Sequence, residues 1–298
     1  RLRDSVANTD EISSYVKLAI EFDGAQKPAI DVVQSPPLPA VAPFNAAKEK
    51  EHQEAWANFL GVEVETENSI GMKLRVIPTG SFTMGENNEA HEVTLTEPFM
   101  LGTYEVTQAQ YQQVMGTNLS KFKGASNPVE QVSWDNAMEF CHKLKALPKE
   151  NAAGRVYRLP TEAEWEKAAR GGFDRLPYAW GREMFPEGKD VWMANIWQGE
   201  WPHNNIASDG YVMTSPVKTF PPNPFGLYDI AGNVWEIVSD YYHPQAYAME
   251  SAGTRNPKGP SLQQVAQPGQ RVILRVTRGG SFLCSDVWCK GYPPGARQ

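Results

Sequence analysis

The sequence predicts an α+β fold that is irregular and rich in loops. Three observations predict it. Alternation of apolar and polar residues, the mark of half-buried strands, is confined to residues 72–104. Helical signals come as short stretches, each with its own cap. The 23 prolines and 24 glycines, about one residue in six, interrupt regular structure along the chain. A hydrophobic content of 41% suffices for a core, and nine tryptophans and eleven tyrosines supply large amphipathic surfaces.

In chain order, residues 1–44 read as a lead-in. Ile12 to Phe22 has the pattern of a short helix or strand. Ser35 to Pro43 is dense in proline, which favours an extended linker, so the segment reads as a tether from something upstream. Residues 45–67 lead into the domain. Asn45 to Leu60 is a helix, with Asn45 as its cap and Gly61 as its end. The domain proper spans 68–298. Met72–Ile77, Ser81–Met84 and Glu92–Thr96 alternate as strands between polar turns, and Phe99–Tyr104 is a fourth candidate. Thr107-Gln-Ala-Gln110 has the form of a capping box and opens a helix that runs to Gly116. Ser133 to Leu147 is the clearest amphipathic helix, with Ala137, Phe140, Cys141 and Leu144 spaced by three, four and seven. Thr161-Glu-Ala-Glu164 is a second capping box. Its helix pairs Glu166 with Arg170 one turn on, and Gly171-Gly172 ends it. Beyond it few periodic signals remain. No internal repeat stands out.

Composition excludes several functions. The net charge is −7, from 35 acidic against 28 basic residues, which argues against a nucleic-acid partner and is compatible with a basic peptide. No run approaches the ~20 apolar residues of a membrane span. The chain begins at Arg1 without a signal segment and reads as a fragment; a cytoplasmic location and a monomer are expected. Three cysteines do not make a disulfide scaffold, and Cys141 falls on the apolar side of its helix. The five histidines are scattered, and none has the spacing of a His-Glu-x-x-His metal site. No Gly-x-Ser-x-Gly elbow or phosphate-cradling loop occurs.

Two regions carry chemistry. Arg278-Gly-Gly-Ser-Phe-Leu-Cys-Ser-Asp-Val-Trp-Cys289 holds two cysteines with four residues between them. That offset puts side chains on opposite faces of a strand, and about 140° apart on a helix, so the sulfurs meet only if the chain turns. Two separate buried thiols, a structural disulfide, and a redox-active or soft-metal pair all suit the spacing. The second region, 195–236, carries Asn195, Asp209, Asp229 and Glu236 in a glycine-rich context. Solvated acids and a calcium clip both suit it.

The cysteine stretch resembles the active-site segment of the formylglycine-generating enzymes, also called sulfatase-modifying factors. The resemblance extends through Tyr104-Glu-Val-Thr107, Arg158-Leu-Pro-Thr-Glu-Ala-Glu-Trp-Glu166, Asn195-Ile-Trp-Gln-Gly-Glu200 and Gly226-Leu-Tyr-Asp-Ile-Ala-Gly-Asn-Val-Trp-Glu236, covering the chain from about Asn68 onward. It implies that family's irregular, C-type-lectin-like fold with little regular secondary structure. It implies an oxidase that converts a cysteine in a Cys-x-Pro-x-Arg segment of unfolded sulfatase polypeptide to Cα-formylglycine, using dioxygen. By the same resemblance Cys284 and Cys289 hold Cu(I) as a bis-thiolate. Cys289 stays on the metal, Cys284 is displaced or linked to substrate, and Ser281 lies near the oxygen pocket. Trp235 and Trp288 are expected to line the cavity. Two calcium ions are implied, one on Asn195, Ile196, Asp209 and Tyr211, the other on Asp229, Gly232, Val234 and Glu236. Ile196, Tyr211, Gly232 and Val234 would serve through carbonyls.

The chain departs from the family pattern at several points. Asp229 stands where the family often has Asn, and Ser285 where many relatives have His. Lys290-Gly291 replaces a more aromatic and basic pair. The family continues past the position of Gln298 through a strand ending near Gly-Phe-Arg, and a missing strand would expose a sheet edge. Two alternatives stay open: a non-catalytic binding module on the same scaffold, and a metal-free thiol oxidoreductase. The histidine motif of the related iron-dependent sulfur–carbon ligases is absent.

Overall fold

The computed structural model describes residues 14–21, 35–186, 188, 191–249, 253–266 and 273–298. Two short strands come first, β1 (Ser14–Val16) and β2 (Ala19–Glu21). Helix α1 (Ala46–Leu60) follows. The Asn45 side chain accepts the Lys48 amide at its start, and Gly61 ends it at φ 66°. Five strands come next: β3 (Glu65–Glu67), β4 (Lys73–Ile77), β5 (Gly80–Met84), β6 (His91–Leu95) and β7 (Phe99–Gly102).

Helices α2 (Gln108–Met115) and α3 (Trp134–Ala146) both open on capping boxes, at Thr107 and Ser133. The buried face of α3 is Ala137, Phe140, Cys141 and Leu144, the set its periodicity predicts. Then come α4 (Pro148–Ala152), β8 (Val156–Arg158) and α5 (Glu162–Arg170), the last capped by Thr161 and Glu164. The rest is mostly loop. It carries β9 (Gly199–Glu200), β10 (Asn204–Asn205), β11 (Trp235–Tyr241), α6 (Ala246–Met249), β12 (Thr254–Arg255), α7 (Leu262–Val265) and β13 (Arg275–Arg278).

The main sheet has five strands in the order β3-β4-β7-β2-β8, each pair antiparallel. It is buried on both faces. Leu74, Val76, Met100 and Ile20 join one apolar cluster with Trp56, Tyr111 and Phe140. Ile77, Phe99, Leu101 and Ala19 join another with Phe82 and Phe225. A strand covered on both sides reads as a continuous apolar run, which is why Phe99-Met-Leu101 shows no alternation.

The tether expected over 1–44 is corrected where the chain is described. Strand β2 lies inside the main sheet, with Ile20 opposite both Met100 and Tyr157. Leu18, Ala19 and Ile20 are buried, and three residues are too few to display a period. The proline-rich stretch is extended, as expected, but it is pinned. Ala40 and Ala42 donate to the Thr79 and Ser81 carbonyls at 2.8 and 3.0 Å, and Phe44 to Gly172 at 3.0 Å. Gly80, at φ 139°, admits this approach, since a Cβ there would lie 1.9 Å from the Ala40 oxygen. Residues 1–13 and 22–34 of the lead-in lie outside the described residues.

A second sheet, β1-β11-β13, carries the functional region. Strand β1 runs parallel to β11, with Tyr15 opposite Glu236, and β13 runs antiparallel to it, with Arg278 opposite Glu236. Thr277 and Gln298 exchange amide–carbonyl bonds of 2.8 and 3.1 Å. The last residues therefore cover β13 at that point, and the sheet edge anticipated there is paired.

Glu150, on α4, makes a prediction. Its carboxylate accepts the Ser69 amide at 2.6 Å, the Arg155 guanidinium at 2.9 Å and the Tyr157 hydroxyl. Burial pushes its pKa up, but these donors outweigh burial and bring it down to about 2. A depressed pKa stabilises the fold above the unfolded value of about 4.3, and the gain is lost as pH falls toward 2. The urea midpoint of the wild type should drop across that window, and Glu150→Gln should flatten the drop. An unchanged slope in the variant would remove Glu150 as its source.

Candidate functional site: a cysteine loop at an open cleft

A buried ionic network clamps both ends of the cysteine loop. Arg278 is fully buried at its start. Its guanidinium donates to Glu162 at 2.9 Å, to Glu166, and to the Pro294 carbonyl at the loop's far end. Glu166 also receives Arg170 at 2.6 Å and the Gly85 amide at 2.7 Å. Arg297 closes the set on Glu162 at 2.7 Å. Burial opposes each charge. The surrounding guanidiniums nonetheless hold Glu166 below the usual carboxylate range, and the carboxylates keep Arg278 more firmly protonated. The helix α5 that supplies Glu162, Glu166 and Arg170 is the one the second capping box predicts.

Between the clamps the chain turns tightly. Gly279 and Gly280 take φ of 86° and 72°. A Cβ at Gly280 would sit 2.8 Å from the Tyr292 amide nitrogen, and one at Gly291 would sit 2.2 Å from the Trp235 ring. Glycine at 291 thus lets the loop close onto Trp235. The Cys284 amide bonds the Ser281 carbonyl at 2.9 Å, and its own carbonyl accepts the Trp197 amide at 2.9 Å. Ser285 and Trp288 close a second turn at 2.8 Å. Cys289 and Lys290 both take left-handed φ, 75° and 45°, a conformation costly for residues with a side chain and concentrated at functional sites.

The two turns bring Cys284 and Cys289 together as a disulfide, with Cα atoms 4.9 Å apart. Of the readings the spacing left open, that of two separate thiols is excluded. Cys284 is fully buried and Cys289 is exposed. Cys289 lines an open cleft of about 600 Å³, with Trp235 and Lys290–Gly291 beside it, Gly295–Gln298 behind, and Glu86–Glu89 opposite. The two sulfurs therefore differ in access: Cys289 faces the cleft and Cys284 is enclosed.

Ser281 is buried beside Cys284. Its amide lies 3.4 Å and its hydroxyl 4.0 Å from that sulfur. Trp235 lines the cleft as expected; Trp288 does not. Trp288 is instead half exposed and stacks on Trp201 at 5.7 Å, which meets Trp197 edge-on at 4.7 Å. Sequence reasoning missed the Glu86–Glu89 wall and Trp201. Nothing in their local pattern marks either, since only tertiary folding sets them near the cysteines.

The sites expected for metals differ in how well they fit. A disulfide offers no thiolate, so a soft metal ion would require the reduced pair. Once reduced, two sulfurs on one turn fit such an ion. At the first calcium set, Asn195 Oδ1 is buried without a partner, as a cation donor would be. Asp209 lies beside it. Its carboxylate accepts the Ile196 amide at 3.1 Å, the Gln198 side chain at 2.8 Å and the Tyr211 amide at 2.9 Å, while burial raises its pKa. These residues fit a hard cation held chiefly by Asn195, Asp209 and carbonyl oxygens.

At the second set, Asp229, Gly232, Val234 and Glu236, Asp229 Oδ1 is likewise buried without a partner, but a positive charge already stands on Glu236. Lys17 is fully buried, and its ammonium sits 3.2 Å from Glu236 Oε1 and 3.2 Å from the Tyr228 carbonyl. The other oxygen of Glu236 accepts the Trp165 indole. Among the described residues, no three His, Cys, Asp or Glu side chains converge as a metal-binding group.

Fold and site together define a loop-rich α+β domain with a cysteine pair at an open cleft, and comparison gives the family. The chain belongs to the family of sulfatase-modifying factor enzyme 1-like domains, whose model matches residues 62–297. It is 45% identical over 172 residues to the formylglycine-generating enzyme of Streptomyces coelicolor, covering 58% of this chain and 47% of that protein. It is also 39% identical over 145 residues to a Mus musculus protein named inactive C-alpha-formylglycine-generating enzyme 2, covering 48% of this chain and 42% of that one. Its fold is similar to that of Treponema denticola variable protein 1, with a TM-score of 0.61, 26% identity, and coverage of 80% of this chain and 93% of the other. The chain spans about half the length of the curated formylglycine-generating relatives it matches.

Proposed function

We propose that this protein oxidises a cysteine in an extended sulfatase polypeptide of the Cys-x-Pro-x-Arg type to Cα-formylglycine. The observation that carries the reading is the Cys284–Cys289 pair, joined on one loop, with Cys289 alone facing the cleft. The open cleft accepts a chain rather than a folded domain, and the exposed Glu86 and Glu89 on its wall suit a basic segment. The substrate thiol enters beside Cys289. Its conversion takes two electrons from the substrate β-carbon and two from an external thiol, dioxygen accepts all four, and the sulfur leaves as hydrogen sulfide. The same external thiol first opens the bridge, releasing Cys289 at the cleft and Cys284 as a thiolate. Ser281, whose amide faces the Cys284 sulfur, steadies that thiolate. When bound to the reduced pair, Cu(I) supplies the soft centre at which dioxygen is activated. A calcium ion on Asn195, Ile196, Asp209 and Tyr211 would brace the loop that bonds Cys284 through Trp197.

The test uses the reduced protein loaded with Cu(I), in air, with a Cys-x-Pro-x-Arg peptide. Aldehyde captured by a hydrazide probe is expected. An unchanged peptide thiol, with copper demonstrably bound, overturns the proposal. A non-catalytic module is the second reading, favoured by the relative whose name calls it inactive. It predicts no Cu(I) binding that depends on Cys284 and Cys289.

A further inference from the structure

Lys17 is fully buried, and the activity proposed above makes no use of it. It lies between β1 and β2 with no exposed surface. Three buried carboxylates, Glu105, Asp229 and Glu236, lie within reach of its charge. Glu236 contributes an oxygen at 3.2 Å, and the Tyr228 carbonyl contributes another at the same distance. Asp229 Oδ2 accepts the Lys218 amide at 2.7 Å, and Glu105 accepts the Asn233 side chain at 3.4 Å. Asp229 Oδ1 and Glu105 Oε2 are buried without a partner. Lysine is almost never fully buried unless paired, and carboxylates in a dry interior need a cation close by.

We infer that the Lys17 ammonium is the protein's built-in replacement for the second structural cation, held on Glu236 and the Tyr228 carbonyl in place of a calcium ion. An ammonium and a calcium ion on the same buried carboxylate would repel each other strongly. Calcium binds oxygen at 2.3–2.6 Å and takes six to eight such ligands. Here one Glu236 oxygen is held by Lys17 and the other by the Trp165 indole. The pairing register explains how the ammonium is delivered. Strand β1 runs parallel to β11 with Tyr15 opposite Glu236, so the chain reaches Lys17 just past the carboxylate it neutralises. The lead-in thus supplies both a strand of the main sheet and the counter-ion of the site region. Through Glu236 and Trp165 that ion braces the start of β11, whose Trp235 lines the cleft.

The test is calcium stoichiometry and does not depend on the proposed activity. Native mass spectrometry of the wild type in excess calcium should show no more than one ion per chain. A calcium ion located on Glu236 by anomalous scattering in wild-type crystals overturns the inference. Lys17→Ala opens the space and should bind one more calcium than the wild type. Its melting temperature should fall, and should then rise on calcium addition more than that of the wild type. Lys17→Met keeps the volume but not the charge, so it should lose stability without calcium rescue. A folded Lys17→Ala that gains no ion also overturns the inference. If that variant does not fold, the wild-type stoichiometry and the position of its ion decide the matter.

Discussion

Glu166→Ala should cost about 3–5 kcal/mol in a urea titration, the range for removing one partner of a buried charge pair. The size of the effect follows from how the charges are shared. Glu166 is completely buried and serves two guanidiniums, Arg170 on one oxygen and Arg278 on the other. Removing it leaves both buried positive charges with only Glu162 nearby, which Arg297 already shares. Arg278→Met should cost less. In that variant Glu166 keeps Arg170 and Glu162 keeps Arg297, so the remaining charges balance. Glu166→Gln keeps the volume and removes only the charge, so a comparable loss in that variant separates an electrostatic account from one of packing alone. Because Arg278 also holds the Pro294 carbonyl, both variants should loosen the cysteine loop at its base. Faster reduction of the Cys284–Cys289 bridge by a small thiol would register it.

Much of the fold was legible where local signals are strong. Asn45, Thr107 and Thr161 all cap the helices their side chains predict, because capping depends on residues three apart in the chain. Strands β4, β5 and β6 showed through their alternation. Strands β8 and β11 did not, and β2 showed only as a stretch undecided between helix and strand. β2 and β8 have three residues each, and β11 is buried at four consecutive positions, so neither period can appear. The site divides the same way. The cysteines and the turn between them could be read from spacing and resemblance. Which sulfur faces the cleft could not, because Glu86–Glu89 and Trp235, which form the other sides of the cleft, come from distant segments. Lys17 was illegible for the same reason. Its partner Glu236 lies 219 residues away, and a lone lysine in a short segment reads as surface.

Cys289→Ser should lower aldehyde formation about a thousand-fold or more, the scale seen when one member of a catalytic unit is removed. Stability should change far less. A bridge over so short a loop restricts the unfolded chain by about 2 kcal/mol at most, so a folded but inactive variant is the expected result. Cys141→Ala is the control. That thiol is buried in the α3 face with its pKa pushed up to about 12 by burial, and it should play no part in turnover. Variants of the two bridged cysteines then separate the roles of the sulfurs. Cys284→Ser leaves the exposed Cys289 thiol free, and it should trap the substrate peptide as a mixed disulfide under mild oxidant. Cys289→Ser leaves only the fully buried Cys284, which should trap little or none. The asymmetry comes from access rather than intrinsic reactivity, since both cysteines sit on one loop and differ chiefly in which side of it meets the cleft. Equal trapping by the two variants would mean that the loop opens far enough to expose Cys284, and the assignment of Cys289 as the sulfur that meets substrate would fall.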